Sequence, residues 1–195
     1  MSHDRDIKDI LKDYPKEVIL KDGTGATLRP LSEGDEKPLE DMFKRFPAHE
    51  LWFLNLDLSR PGLIEGWIKN LDPNRVISIV ALLEGRIIAN AALMKKMYGS
   101  KSHIGKIRIA VDPSFREIRL GTWMLLDLVN LGMSIGLKLL VMRLVRDRDA
   151  SVITGVRKLD FVERAVLKNY VLDRDGGPHD LVIMTKRLHT EWDDF

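Results

Sequence analysis

The residues best placed for chemistry are concentrated in the run Ile109-Ala110-Val111-Asp112-Pro113-Ser114-Phe115-Arg116-Glu117-Ile118-Arg119-Leu120-Gly121-Thr122. An apolar, strand-like stretch ends at Val111, and Pro113 stops sheet pairing. A helix-length apolar stretch then opens near Leu120. A strand, a tight turn and a helix start present several backbone N–H groups together with the positive end of a helix dipole, a combination suited to phosphate. Arg116 and Arg119 add charge at the same place. The surrounding stretch is locally basic, with Arg86, Lys95, Lys96, Lys101, Lys106, Arg108, Arg116 and Arg119 against Asp112 and Glu117. By contrast, residues 1–75 hold twelve basic and fifteen acidic side chains. Such a basic stretch attracts a polyanionic small molecule; a solvated charged face is the plainer alternative.

The elements that must position this turn follow from pattern. Ile7, Ile10 and Leu11 predict a short amphipathic helix in residues 1–17, ended by Tyr14-Pro15. Val18–Leu20 and Ala26–Leu31 flank Asp22-Gly23-Thr24-Gly25 and read as a hairpin or strand entry. Ser32, with the acids after it, predicts a helix start. That helix continues through Leu39, Met42, Phe43 and Phe46 to Pro47, and a second helix is expected over Pro61–Leu71. Strands are expected at Val76–Leu83, Arg86–Met94 and Ser102–Val111, the first two joined by Glu84-Gly85. A helix over Leu120–Ile135, a strand over Leu137–Val145 and a helix over Ala150–Leu159 follow. Phe161–Leu172 and Leu181–Leu188 close the chain as strands around the polar turn Asp173–Asp180. Antiparallel strands giving way to a β-α-β-α-β unit require at least one parallel pair. The fold class is therefore α/β, a single mixed and mostly antiparallel sheet with helices on both faces. The expected division is a helical extension at 1–17, one domain at 18–190 and a tail at 191–195.

The turn and the order of elements resemble the GNAT superfamily of acyl-CoA N-acyltransferases. The family's turn reads V-x-P-x-x-[RQ]-x-x-G-x-[GA], and this chain supplies Val111, Pro113, Arg116 and Gly121 in register. The resemblance extends over about Ala26 to Leu188, including Leu28-Arg29-Pro30-Leu31 and Leu159-Asp160-Phe161. It implies acetyl-CoA or another acyl-CoA as co-substrate, with Ile109, Ala110 and Val111 along the pantetheine arm. It places Arg116, Glu117, Ile118, Arg119, Leu120, Gly121 and Thr122 at the diphosphate. An amide near Ile109 would polarise the acyl carbonyl, and the amine would attack directly in a ternary complex.

Three departures stand out. Arg119 replaces the first glycine of the turn, where close approach to phosphate or a positive φ is usual; its guanidinium is itself able to bind phosphate. Val156 stands where the family often has a tyrosine that protonates the leaving thiolate. Asp160 replaces the glycine of a Gly-Phe step, and Asp149 matches an asparagine that hydrogen-bonds pantetheine. A substrate ammonium must lose a proton before attack, and histidine suits that task near pH 7. The resemblance would place a base at Gly105 or Ile107, neither of which can serve. His103, two residues before Gly105, is the candidate base and Tyr170 the candidate thiolate donor, with His179 a further base candidate. Each has a bland alternative, an exposed turn histidine or an ordinary strand tyrosine. Trp52, Phe53, Trp67, Phe43 and Phe46 would wall an acceptor pocket or simply form core.

The chain has no cysteine, which excludes a disulfide scaffold, a thiolate zinc site and a Cys-bound acyl intermediate. No metal is expected, since His49 and Glu50 are isolated. The net charge of +2 and the lack of aromatics interleaved with the basic stretch argue against nucleic acid. The charged N-terminus lacks a secretory h-region and no apolar run spans a bilayer, so a cytoplasmic protein without membrane contact is expected. The expected activity is acetyl transfer to the primary amine of a small metabolite or a protein lysine. A non-catalytic module that binds CoA thioesters is the alternative, and a homodimer is compatible with either.

Overall fold

The computed structural model describes residues 6–188. The expected tail at 191–195 lies outside them. A short helix α1 (Ile7–Ile10) and a 3₁₀ turn (Leu11–Asp13) lead into β1 (Lys16–Ile19) and β2 (Gly25–Pro30). Three helices follow, α2 (Glu36–Lys44), α3 (Ala48–Phe53) and α4 (Leu63–Lys69). Then come β3 (Val76–Leu83), β4 (Arg86–Lys95), β5 (Ile104–Val111), α5 (Leu120–Ser134), β6 (Leu139–Val145), α6 (Ala150–Arg157), β7 (Val162–Leu172) and β8 (Pro178–Arg187).

All the strands join one eight-stranded sheet in the order β1-β2-β3-β4-β5-β6-β8-β7. Every neighbouring pair is antiparallel except β5 and β6. The mixed, mostly antiparallel sheet expected from sequence is thus present. Helices cover both faces. One face holds the larger core, where α1, α5 and α6 supply Ile10, Leu120, Met124, Leu128, Ile153 and Val156 against Ile79, Leu93, Ile107, Leu140 and Val182. The other face packs Leu39, Met42, Phe43 and Phe46 of the α2 region and Ile64 and Ile68 of α4 against Val80 and Ile87.

The parallel pair decides where a ligand can lie. β5 and β6 pair only through Ile104–Leu139, Gly105–Leu140 and Lys106–Val141. Beyond these residues β5 stays with β4 as far as Val111, and β6 stays with β8 as far as Val145. The sheet therefore forks between the C-terminal ends of β5 and β6. Gly105 sits where the two arms meet: a Cβ there would lie 2.7 Å from methyl groups of Leu137 and Leu93 and 2.9 Å from one of Leu140. Glycine there leaves room for the three leucine side chains that pack over the junction on the α5 face.

Some boundaries differ from the sequence expectation. Lys16 and Glu17 belong to the edge strand β1, and Ile7 and Ile10 pack into the main core, so the first segment is built into the domain. The side chain of buried Asp127 on α5 fastens this segment, accepting from the Tyr14 hydroxyl (2.5 Å) and the Lys16 ammonium (2.7 Å). Ser32 is not the residue before α2; Asp35 is, and its carboxylate is turned back onto Arg29 and the Ser32 N–H. Helix α3 was not expected. It is one and a half turns long, too short to show a period.

Candidate acyl-CoA site

The turn sits at the mouth of the fork. Asp112 N–H bonds to the Ile88 carbonyl (2.9 Å), so by strand alternation the backbone groups of Ala110 and Arg108 also point toward β4. Those of Ile109 and Val111 point the other way, into the fork. Of the three residues expected along a pantetheine arm, Ile109 and Val111 offer backbone groups there and Ala110 does not. The side chains alternate as well. Gly105, Ile107, Ile109 and Val111 lie on the α5 face, whereas Lys106, Arg108 and Ala110 lie on the face of α2–α4.

After β5, fully buried Asp112 accepts from Ser114 N–H (3.0 Å) and from Arg45 Nε (2.5 Å), which ties the turn to the end of α2. The chain then adopts two left-handed residues, Glu117 (φ 64) and Arg119 (φ 67, ψ 8). Arginine at 119 therefore holds the positive φ that is usual for the glycine of such a turn. Asp160, the other glycine replacement, does the same at φ 62. Arg119 is the N-cap of α5, and its carbonyl accepts the first helical bond, from Trp123 N–H at 3.1 Å. The amides of Leu120, Gly121 and Thr122 are consequently the first-turn donors that lack an intrahelical acceptor. Gly121 has ordinary space beside it, since a Cβ there would lie 3.6 Å from a Val111 methyl.

The hairpin β1–β2 braces this cradle from behind. Lys21 N–H donates to the Ile118 carbonyl (3.0 Å) and the Trp123 indole N–H to the Ile19 carbonyl (2.9 Å). Both braces escaped the sequence reading, because neither residue belongs to a motif. The cradle is therefore preformed and rich in outward amides, and it fits a diphosphate.

The two arginines of the turn behave differently. Arg116 folds back: its guanidinium is bidentate on Glu50 of α3 (3.0 and 2.5 Å), its Nε reaches the Val111 carbonyl (3.2 Å), and it lies 5.5 Å from the Phe46 ring. Arg116 in turn holds the Glu50 carboxyl below its ordinary pKa. Arg119 is exposed and makes no ion pair among the described residues.

Helix α3 lies across the fork. Besides Glu50, its Trp52 indole donates to the Leu172 carbonyl at the end of β7 (2.8 Å). Phe53 meets His179 edge to face at 5.6 Å, and Arg148 stands 5.3 Å over the Phe53 ring. Arg108 donates to the Leu54 carbonyl at the C-terminal end of α3. Trp52 and Phe53 thus stand at the fork, while Phe43, Phe46 and Trp67 form core or pack on it.

The other sequence candidates are scattered. His103 precedes β5, at the end of the strand where the arms are paired, and lines a separate cavity of about 480 Å³ with Lys138, Arg164 and Arg187. Tyr170 is exposed on β7, the far edge strand. Asp149 lies just after β6, but its carboxylate accepts from Val145 N–H (2.7 Å) and pairs with Arg148 (3.6 Å). Val156 is buried core. His179 does reach the fork. Its Nε2 is 3.1 Å from Asp173 and its Nδ1 is 3.6 Å from Asp147, and these carboxylates raise its pKa above 6.5, Asp173 most. Among the described residues no His, Cys, Asp and Glu cluster is arranged to hold a metal ion.

The forked sheet with its turn is the fold of GNAT acetyltransferases. A GNAT-family acetyltransferase from Streptococcus pneumoniae superposes with a TM-score of 0.70 at 18% identity, covering 83% of this chain and 99% of that one. The GNAT domain of S. lividans PAT gives 0.72 at 13% identity, over 89% and 97% of the two chains. The Salmonella typhimurium protein yncA, named an acetyltransferase and solved with its cofactor acetyl-CoA, gives 0.70 at 15% identity, over 86% and 96%. No protein-family model matches the sequence, and no curated protein matches it significantly.

Proposed function

We propose that this protein transfers an acetyl or related acyl group from an acyl-CoA to the primary amine of a small molecule or a protein lysine. The observation that carries the reading is the opening of the β5–β6 fork directly onto a preformed cradle of helix-first-turn amides. The diphosphate would rest on Leu120, Gly121 and Thr122 N–H groups, with Arg119 beside it. The pantetheine arm would run along Ile109 and Val111, whose backbone groups face the fork. The Ile109 N–H is placed to polarise the acyl carbonyl. The amine nitrogen attacks that carbon, a C–N bond forms and the C–S bond breaks. The amine gives up one proton, and the sulfur leaves as thiolate and takes one. The Asp173 and Asp147 carboxylates raise the His179 pKa, a direction that suits the giving of a proton better than its removal. Compartment and oligomeric state do not enter this reading. Among the described residues no helix is long and apolar enough to cross a membrane.

Calorimetric titration with acetyl-CoA, followed by thiol release over an amine panel, tests the proposal. Binding and amine-dependent release are expected. Absence of binding at millimolar acetyl-CoA would overturn it. Burial of Val156 where a thiolate donor is usual favours one alternative, a CoA-thioester-binding module without turnover. Binding with no release across the panel is the result that alternative requires.

A further inference from the structure

The face of the sheet under α2–α4 carries an arginine that the cradle does not use and whose tie to the fold is to the end of α3. Arg108 alternates with Ile107 and Ile109 in the otherwise apolar end of β5 and points to the face of α2–α4, beside the fork. Its only polar contact among the described residues is the Leu54 carbonyl, and no carboxylate lies within ion-pairing distance. Most of the arginines around the fork have an acid: Arg116 has Glu50, Arg45 and Arg86 have Asp112, Arg146 has Glu163 and Arg148 has Asp149.

Arg108 is open to solvent on one side, yet the protein around it desolvates it enough to lower its pKa. Its guanidinium lies against the end of α3 on one side and faces solvent on the other. Around it the same face is paved with small and polar residues. Ala92 pairs directly with Arg108, Asn90 pairs with Ala110, and buried Asn90 donates to Ser78 Oγ at 2.8 Å. A desolvated guanidinium with one neutral partner keeps most of its donors for an anion, and its planar fork matches a carboxylate.

We infer that Arg108 is the acceptor-specificity residue, and that the acceptor is an amine that also carries a carboxylate, of the amino-acid type. Arg108 is one residue from Ile109, whose amide faces the fork. A carboxylate on Arg108 therefore holds the acceptor beside the stretch of β5 whose next amide faces the reacting carbonyl. The inference rests on the acyl-transfer reading for the meaning of "acceptor", but the carboxylate subsite itself does not.

Thermal shift of the full chain separates the two. Melting is followed with saturating CoA present, adding in turn each free amino acid and its primary amide, which keeps the amine and removes the carboxylate charge. At least one amino acid raises the melting temperature while its amide does not. Arg108→Met removes that difference, weakening the apparent affinity by about ten- to a hundredfold, and keeps its CoA shift. Arg108→Gln serves if the methionine variant does not fold. If no amino acid outdoes its amide, or if the variant keeps the preference, the inference is wrong. If CoA gives no shift but an amino acid still does so through Arg108, the subsite stands and acyl transfer falls. If CoA shifts and every amide equals its acid, acyl transfer stands and the carboxylate subsite falls.

Discussion

Arg119 sets stability against binding, and two substitutions take the two apart. The residue holds φ 67 at the N-cap of the fifteen-residue helix α5. A left-handed non-glycine residue costs roughly 1–2 kcal/mol, and a cation at a helix N-terminus costs about 0.3–1 kcal/mol. Arg119→Gly relieves both but returns about 0.5–1 kcal/mol through the freer unfolded chain. The net expectation is a gain of about 1 kcal/mol, or about 2–4 °C in melting temperature for a chain of this size. Arg119→Ala relieves only the dipole conflict and should gain less. With CoA present the parent gains on both variants. The guanidinium has no carboxylate partner among the described residues, so its charge-assisted bonds go to phosphate, worth about 1.5–3 kcal/mol. Arg119→Ala should then bind CoA about tenfold more weakly or worse, with a flatter salt dependence. Arg119→Gly should bind at least as well as Arg119→Ala, since it frees the backbone of the turn. Scanning calorimetry without ligand and titration at two salt concentrations measure all of this. If Arg119→Ala binds CoA as tightly as the parent with the same salt dependence, the guanidinium does not meet the phosphate and the reasoning fails.

Gly105→Ala should cost about 1–3 kcal/mol of stability, because the new methyl must push three leucine side chains out of van der Waals overlap; a thermal denaturation with no loss would mean that the arms of the fork already have slack. The His179 imidazole should titrate by NMR above 6.5, and Asp173→Asn should bring it down. A raised pKa stabilises the fold fully below the unfolded value of 6.5 and loses that effect as pH rises through the folded value. The parent should therefore lose stability relative to Asp173→Asn across that window, and parallel pH profiles for the two would refute the assignment.

How much of this was legible can be read from particular residues. The sheet and its faces were, since β3, β4, β5 and β6 are long apolar runs whose pattern admits little else. The turn was legible through Val111, Pro113, Arg116 and Gly121. Its conformation was not. Glycine marks a left-handed residue in sequence, but Arg119 and Asp160 reach the same φ because the surrounding turn and helix end dictate it. The fork itself was invisible, because strand pairing that stops after three residues leaves no trace in composition. His103 was placed on the right strand but at its wrong end, since period 2 gives a face and not a distance from the site. Arg108 left a faint signal, a charge between two isoleucines in β5, two residues after Lys106 on the same face. It was read as part of a basic stretch.

The contacts of α3 bear on how the site works as a whole. The cradle is held by parts that need no ligand: the Lys21 and Trp123 braces, the buried Asp112–Arg45 pair and the first bond of α5. A preformed cradle loses little freedom on binding, which favours affinity. Helix α3 is held differently. It reaches the β5 arm through Glu50–Arg116 and the Arg108–Leu54 contact, and the other arm through Trp52–Leu172 and Phe53–His179. None of its own residues is buried. Leu51 and Leu54 pack on the second core, whereas the contacts of α3 across the fork are polar or ring contacts at partly exposed sites, individually weak. A carboxylate on the free donors of Arg108 would sit beside its bond to the Leu54 carbonyl, next to the end of α3, so a change in Trp52 fluorescence on adding an amino acid is expected if α3 responds to the acceptor, and no change is expected if it stays in place.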